Sequence, residues 1–370
     1  LSVRNGVNHK EIDKDRYEFH ECLCRIVFVR DAICGQIAGG KRLRPLCLSR
    51  SSTPAYLRTL CYTFFVVMLQ RVFTPGPVPL APAVIHRLAE PAPYHHGPGA
   101  ESLFQSVFHD LQSVFFCSTP VLALHSSGTG GVEAVMLNTL TPNSFVVVVN
   151  NGRFAQRWCD MLASLDIPFA EVSVPWGDPV SNEVVINALQ LYPQCTAVWL
   201  VHNETSTGTV CNLQSIAATV RSHSDALICV DAISSLAVHE LRMDEWGLDC
   251  VVAASQKGFM LPAGLAFVAL SRKALDVVAS VRARSMYFNV QRALRARDEH
   301  RMLWTPPMNV VSALQCSLQM LLGEGLTQVW SRHARIADML RSSLQASGFE
   351  LFSSAPSNAV TAVRIPASHP

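Results

Sequence analysis

The chain has no stretch approaching the roughly 18 uncharged apolar residues that a membrane span requires; its longest apolar run, around positions 59–69, is about a dozen. That run also lies too deep in the chain for a signal peptide. There is no excess of charge of one sign: 30 Lys+Arg stand against 28 Asp+Glu, a net of +2. No special attraction to nucleic acid or to anionic membranes follows from that balance. Neither a Walker loop nor a G-x-G-x-x-G fingerprint is present. The paired C-x2-C spacings of a zinc site are also missing. What is present is a 370-residue chain, 49% hydrophobic and 16% charged. It can bury a large core as two to three domains, or as one large enzyme fold with an appendage, and intrinsic disorder is excluded. The expectation is a soluble, cytoplasmic protein with no nucleic-acid partner, no membrane and no metal.

The chain is not homogeneous. Positions 1–67 hold 11 Lys+Arg against 6 Asp+Glu, a net of +5, which leaves the remainder mildly acidic. Five of the twelve cysteines (Cys22, Cys24, Cys34, Cys47, Cys61) fall there at uneven spacing. The stretch shows neither a helical nor a strand period. It reads as a poorly structured or non-native leader, with Met68 opening a different text.

From position 121 onward, short runs rich in Val, Ile and Leu (121–124, 145–149, 197–201, 227–230, 251–253 and 265–270) alternate with amphipathic stretches such as 154–165, 181–191 and 213–222. This is the pattern of an α/β protein whose mostly parallel sheet is covered on both faces. Ligands in such sheets bind beyond the carboxyl ends of the strands. After 121–124 comes His125-Ser126-Ser127-Gly128-Thr129-Gly130-Gly131, with a helix expected from about Val132. Small residues and hydroxyls there suit either a phosphate cradle or an ordinary cap. Phe154, in NGRFAQRW, is either core or a platform for a flat ligand. Residues 202–208, HNETSTG, form a dense polar run. Asp231 closes a buried strand, as a helix cap or as the partner of a cationic nitrogen. Lys257 follows another, as a snorkelling surface lysine or as a desolvated nucleophile able to form a Schiff base. Taken together, phosphate cradle, ring platform, acid and amine at the strand ends of one sheet meet the needs of pyridoxal 5'-phosphate.

These residues resemble the class V aminotransferases, within the fold type I pyridoxal-phosphate enzymes, and most of all the alanine–glyoxylate and serine–glyoxylate(pyruvate) group. The likeness is carried by FTPGPVPLAP (73–82), SSGTGGVEA (126–134), NGRFAQRW (151–158), HNETSTG (202–208), VDAISS (230–235), SQKGFMLPAG (255–264) and WTPP (304–307). It implies a three-layer α/β/α large domain over 68–323, and a small α+β domain that is only begun over 324–370. In that second part 330–344 is expected to be helical, and 350–352 and 359–365 to be strands. The resemblance implies that Lys257 carries the Schiff base and moves the substrate proton, and that Asp231 pairs with the ring nitrogen. Phe154 would stack on the ring, Ile233 on its other face, and Thr205 would bond the phenolic oxygen. Ser127, Gly128, Thr129 and Gln256 would hold the phosphate. Thr305 would reach the phosphate of a second subunit in a homodimer, and Gly76 would lie near the substrate carboxylate. The implied reaction is ping-pong transfer from an alanine- or serine-type donor to a 2-oxo acid such as glyoxylate or pyruvate.

The chain also departs from the family. The family's carboxylate-clamping Arg belongs to a segment well beyond the equivalent of 360–366, and the chain stops at Pro370. Met302 stands where some relatives carry an aromatic residue. A truncated, weakly active pyridoxal-phosphate-binding fragment is therefore the alternative reading, along with a 2-aminoethylphosphonate transaminase. Cysteine desulfurase and kynureninase fit less well. Those enzymes resemble one another in a His before the lysine and a His on the ring, where this chain has Gln256 and Phe154, and Cys316 reads as a helix-face core residue.

Overall fold

The computed structural model describes residues 73–365. The basic leader, its five cysteines and Met68 lie outside the described residues, as do positions 366–370. Two helices, α1 (Pro82–Ala89) and α2 (Pro98–Phe115), precede the sheet, each with a proline in its first turn where no amide bond is lost. The alternating part then runs β1 (Val121–Ser126), α3 (Gly128–Thr139), β2 (Val146–Asn150), α4 (Arg153–Ser164), β3 (Phe169–Ser173), α5 (Asn182–Leu191), β4 (Ala197–Val201), a two-stranded hairpin β5–β6 (Asn203–Glu204 and Thr209–Val210), α6 (Leu213–His223), β7 (Leu227–Asp231), β8 (Cys250–Ala254) and β9 (Gly264–Leu270). Helices α7 (Arg272–Ser280), α8 (Val290–Asp298), α9 (Met308–Glu324) and α10 (Leu326–Ala346) follow, with a short pair β10–β11 (Glu350–Leu351 and Val363–Arg364).

The seven-stranded sheet has the order β1-β9-β8-β7-β4-β2-β3. Strand β9 is antiparallel to both of its neighbours, and the other pairings are parallel. Every residue of β2, β4, β7 and β8 is buried. Their side chains alternate between two cores, as the two-residue period of a strand requires. Val147, Val149, Leu200 and Val230 join α2, α5, α6 and α9 on one face, among Phe104, Leu111 and Leu318. Val146, Val148, Trp199 and Cys229 join α3, α4, α7 and α8 on the other, among Met136, Trp158 and Leu162. This is the mostly parallel, two-sided sheet that the apolar runs predict.

Three expectations need correction. Helix α3 begins at Gly128, four residues earlier than expected, with Ser127 as its N-cap. Glycine is a poor helix former, but these glycines are required by close approach. A Cβ on Gly131 would sit 2.9 Å from both Ala266 Cβ and Val252 Cγ1. Edge strand β3 is missing from the sequence reading, because its short run carries exposed Glu171 and Ser173 rather than a continuous apolar string. The strand expected at 359–365 shortens to Val363–Arg364, which pairs only with the two residues Glu350–Leu351; between these strands, residues 353–358 cross the hairpin β5–β6. There Val210 N donates to Ala355 O at 3.0 Å, Ser357 N to Gly208 O at 2.8 Å, and Thr209 Oγ1 to Ser353 Oγ at 2.8 Å. No helix among the described residues is long and apolar enough to cross a membrane.

Candidate active site

The carboxyl ends of β1, β2, β4, β7 and β8 bring most of the expected residues together. At the end of β1, Ser127 Oγ accepts from Gly130 N at 3.3 Å and caps α3. Gly128 and Thr129 form the first turn. A Cβ on Gly128 would lie 2.6 Å from Ile233 Cδ1, so Ile233 packs directly on this turn. The opening amides of the helix, with its dipole, form a natural receptor for an anion.

The next helix is built differently. Gly152 precedes α4 because a Cβ there would fall 2.3 Å from Glu204 Cγ. Glu204 is fully buried. Its Oε2 accepts from Phe154 N at 3.0 Å and Ala155 N at 3.2 Å, and its Oε1 from Ser206 N and Oγ. Burial pushes the Glu204 carboxyl up, and these donors oppose the shift. Glu204 thus fixes the backbone of Phe154. The guanidinium of Arg157, one turn further along α4, lies 5.0 Å from the Phe154 ring centroid, and its Nη1 donates to Thr129 Oγ1 at 3.3 Å. Neither Glu204 nor Arg157 was singled out from the sequence. Their partners are 50 and 28 positions away, and only the three-residue spacing of Phe154 and Arg157 hinted at a shared helix face.

Asp231 ends β7 and is buried. Its Oδ1 accepts from Ile233 N at 2.9 Å, and it makes no ion pair with any described residue. Burial raises its carboxyl to about 7, with the nearby charge of Glu204 adding to the rise and the Ile233 amide, Arg157 and Lys257 opposing it. Lys257 follows β8, the strand beside β7. Its Nζ donates to Pro75 O at 2.6 Å. Desolvation lowers its pKa, and the charge of Asp231 works against that. The turn containing Gly76 is laid over this amine: a Cβ on Gly76, whose φ is +126°, would be 2.5 Å from Nζ. Val78 N donates to Gln256 O at 3.1 Å and pins the turn in place. Gln256 Oε1 is buried without a hydrogen-bond partner. Thr205 Oγ1 donates to Ser234 Oγ at 2.8 Å, and Asn203 Nδ2 reaches the same hydroxyl at 2.7 Å.

Thr305 stands apart. It is exposed in a segment anchored by Trp304, whose Nε1 donates to Tyr287 O at 2.9 Å and whose ring stacks on that of Tyr287. Tyr287 in turn donates its hydroxyl to His125 O at 3.1 Å, at the end of β1.

The sequence model of the family described as Aminotransferase class-V matches residues 122–370. The chain belongs to that family. It is accordingly a pyridoxal-phosphate-dependent aminotransferase of fold type I. A soluble hydrogenase 42 kDa subunit of Anabaena cylindrica is 33% identical to it over 79% of this chain and 77% of its own length. A serine–glyoxylate aminotransferase of Hyphomicrobium methylovorum is 34% identical over 80% and 75%. The crystal structure of an alanine–glyoxylate aminotransferase from Nostoc sp. superposes with a TM-score of 0.77 at 25% identity, over 90% of this chain and 85% of that one.

Proposed function

We propose that this aminotransferase moves the amino group of a small amino acid, of the alanine or serine type, to a small 2-oxo acid such as glyoxylate or pyruvate, in ping-pong order through Lys257. The observation that carries the reading is the juxtaposition of Asp231 and Lys257 at the carboxyl ends of adjacent strands. One is a buried acid without an ion pair among the described residues, the other a desolvated amine. Two of the relatives are named for glyoxylate, one with serine and one with alanine, which supports the acceptor class.

The residues fit pyridoxal phosphate. An uncompensated buried carboxylate suits a protonated ring nitrogen. The glycine turn of α3, with its outward amides, suits an anionic group. Ser127, Gly128, Thr129 and Gln256 would hold the phosphate, Phe154 and Ile233 the two ring faces, and Thr205 the phenolic oxygen. When bound, the cofactor supplies an aldehyde and a ring that takes up the electrons left as the substrate α-proton departs.

The chain's own part is positional and protonic. Lys257 Nζ, which donates to Pro75 O, is the amine that would meet the cofactor's aldehyde, the aldehyde oxygen leaving as water. Once released by the substrate amine it takes the α-proton, and its lowered pKa enlarges the neutral fraction able to do so. Asp231 keeps a proton on the ring nitrogen. Phe154, held through Glu204, keeps the ring in register. Gly76, over the amine, leaves room for the substrate carboxylate. Thr305, exposed and presented by the Trp304–Tyr287 stack, reaches the phosphate of a second copy in a homodimer.

With added pyridoxal phosphate the protein is expected to develop the visible absorbance of a lysine-bound cofactor, and Lys257→Ala to lack it. Absence of the band in the wild type refutes the Lys257 assignment. A donor and acceptor screen tests the substrates: no transfer from alanine or serine to glyoxylate or pyruvate refutes that part alone. Light scattering on the purified chain reads the subunit number, and a monomer that binds cofactor at full affinity removes Thr305 from the site.

A further inference from the structure

We propose that Arg157 is a positioning residue for the phosphate subsite: it fixes Thr129 as a hydrogen-bond donor toward the anion while the Phe154 ring fixes Arg157 itself. This rests on the cofactor reading above and adds a residue to it. A guanidinium has five donors and no acceptor. In the contact between Arg157 Nη1 and Thr129 Oγ1 the hydroxyl oxygen must therefore accept, and its own hydrogen is left to point elsewhere. Thr129 sits in the first turn of α3, where the backbone amides also point outward. The contact thus converts an ambiguous hydroxyl into a committed donor on the side where an anion binds.

The charge of Arg157 acts on Asp231 through space but is not neutralised by a contact. It makes no ion pair with any described residue. Glu204, the buried acid that fills the start of its helix, is engaged by Phe154 N, Ala155 N and Ser206. The guanidinium is also oriented: it lies over the Phe154 ring, and the Phe154 backbone is held by Glu204. A planar cation on an aromatic face keeps its fork direction, which the ammonium of a lysine does not. Phe154 and Arg157 share a helix face, so ring platform and phosphate donor are set by a single turn of α4.

The test is fluorescence titration of the apo chain with pyridoxal 5'-phosphate and, separately, with pyridoxal, which lacks the phosphate. Arg157→Met is expected to weaken pyridoxal phosphate about tenfold or more, the scale of one lost charge-assisted contact, and pyridoxal by less than about threefold. Arg157→Lys should fall between wild type and Arg157→Met. Thr129→Val, which removes the hydroxyl and keeps the shape, should reproduce the phosphate-selective loss, and the double variant should lose less than the two singles added. Unchanged affinity for pyridoxal phosphate in Arg157→Met, equal losses for both ligands, or full additivity would overturn the proposal. If Arg157→Met does not fold, the lysine and valine variants decide by the same ratio. A wild type that binds neither ligand indicts the cofactor assignment instead, so the two failures are distinct.

Discussion

Helices α3 and α4 both start at the carboxyl edge of one sheet, and their N-termini are furnished in opposite ways. The end of α3 is capped by a neutral serine, and its glycine turn leaves amides and hydroxyl hydrogens facing out. The end of α4 is filled by the buried carboxylate of Glu204, which takes the Phe154 and Ala155 amides. Both ends carry the same dipole. The protein has satisfied one internally and left the other able to receive an anion. Glu204 therefore serves the fold and the placing of Phe154, whereas the α3 turn is left open to the anion proposed for it. A helix start becomes a binding site through what is withheld from it.

Removing the filling of α4 should have the largest effect. Glu204→Ala orphans two buried amides and the Ser206 donors, and is expected to cost between about 3 and 5 kcal/mol of stability, read as a lowered denaturant midpoint. Glu204→Gln should recover part of it. A loss near zero would erase the distinction between the two ends. The next effect is one of gain. Asp231 has its carboxyl raised from 3.8 to about 7. A raised acid pKa means that the folded apo protein resists ionisation, so its stability falls as pH rises between those values. Asp231→Asn should remove that slope and stabilise the apo chain by up to about 4 kcal/mol above pH 7 and not at all below the lower value. It should also abolish transamination, because the amide cannot hold the proton on a ring nitrogen. A pH-independent difference between the two proteins would sink this assignment. The smallest effect concerns the open end. A Cβ on Gly130 would fall 2.0 Å from Ser126 Oγ and 3.0 Å from Phe288 Cζ. Gly130→Ala should cost between about 1 and 3 kcal/mol as neighbours shift, with weakened cofactor binding measured by titration. Normal binding in a destabilised variant would separate the α3 turn from the ligand.

The strand ends were legible because their chemistry contradicts their setting. Asp231 and Lys257 terminate apolar runs, and a charge at the end of a buried strand calls for a reason. The cores were legible for the same periodic reason, Val146 and Val148 facing one way and Val147 and Val149 the other. Glu204 was not legible, since its worth lies in two amides 50 positions away and a polar run such as HNETSTG reads locally as a loop. The start of α3 was misplaced because propensity speaks against glycine in a helix, while the space left by Ala266 and Val252 admits nothing larger. Edge strand β3 lacked the continuous apolar string that marks its central neighbours.

The crossing of residues 353–358 over the hairpin β5–β6 has a mechanical consequence. Thr205 and Glu204 lie on a hairpin too short to be stable alone. Its far strand is sewn to this later segment by the Val210, Ser357 and Thr209 bonds, and the segment is tied again where Asn358 N donates to His239 Nε2 and where Arg341 donates to Ser357 O. Helix α10 is therefore linked to the Thr205 hairpin through two bonds of Ser357, one to Arg341 and one to Gly208. Residues about 150 positions apart are thus tied into one hydrogen-bonded unit, and the loop carrying Thr205 is braced by a stretch of chain far from it in sequence.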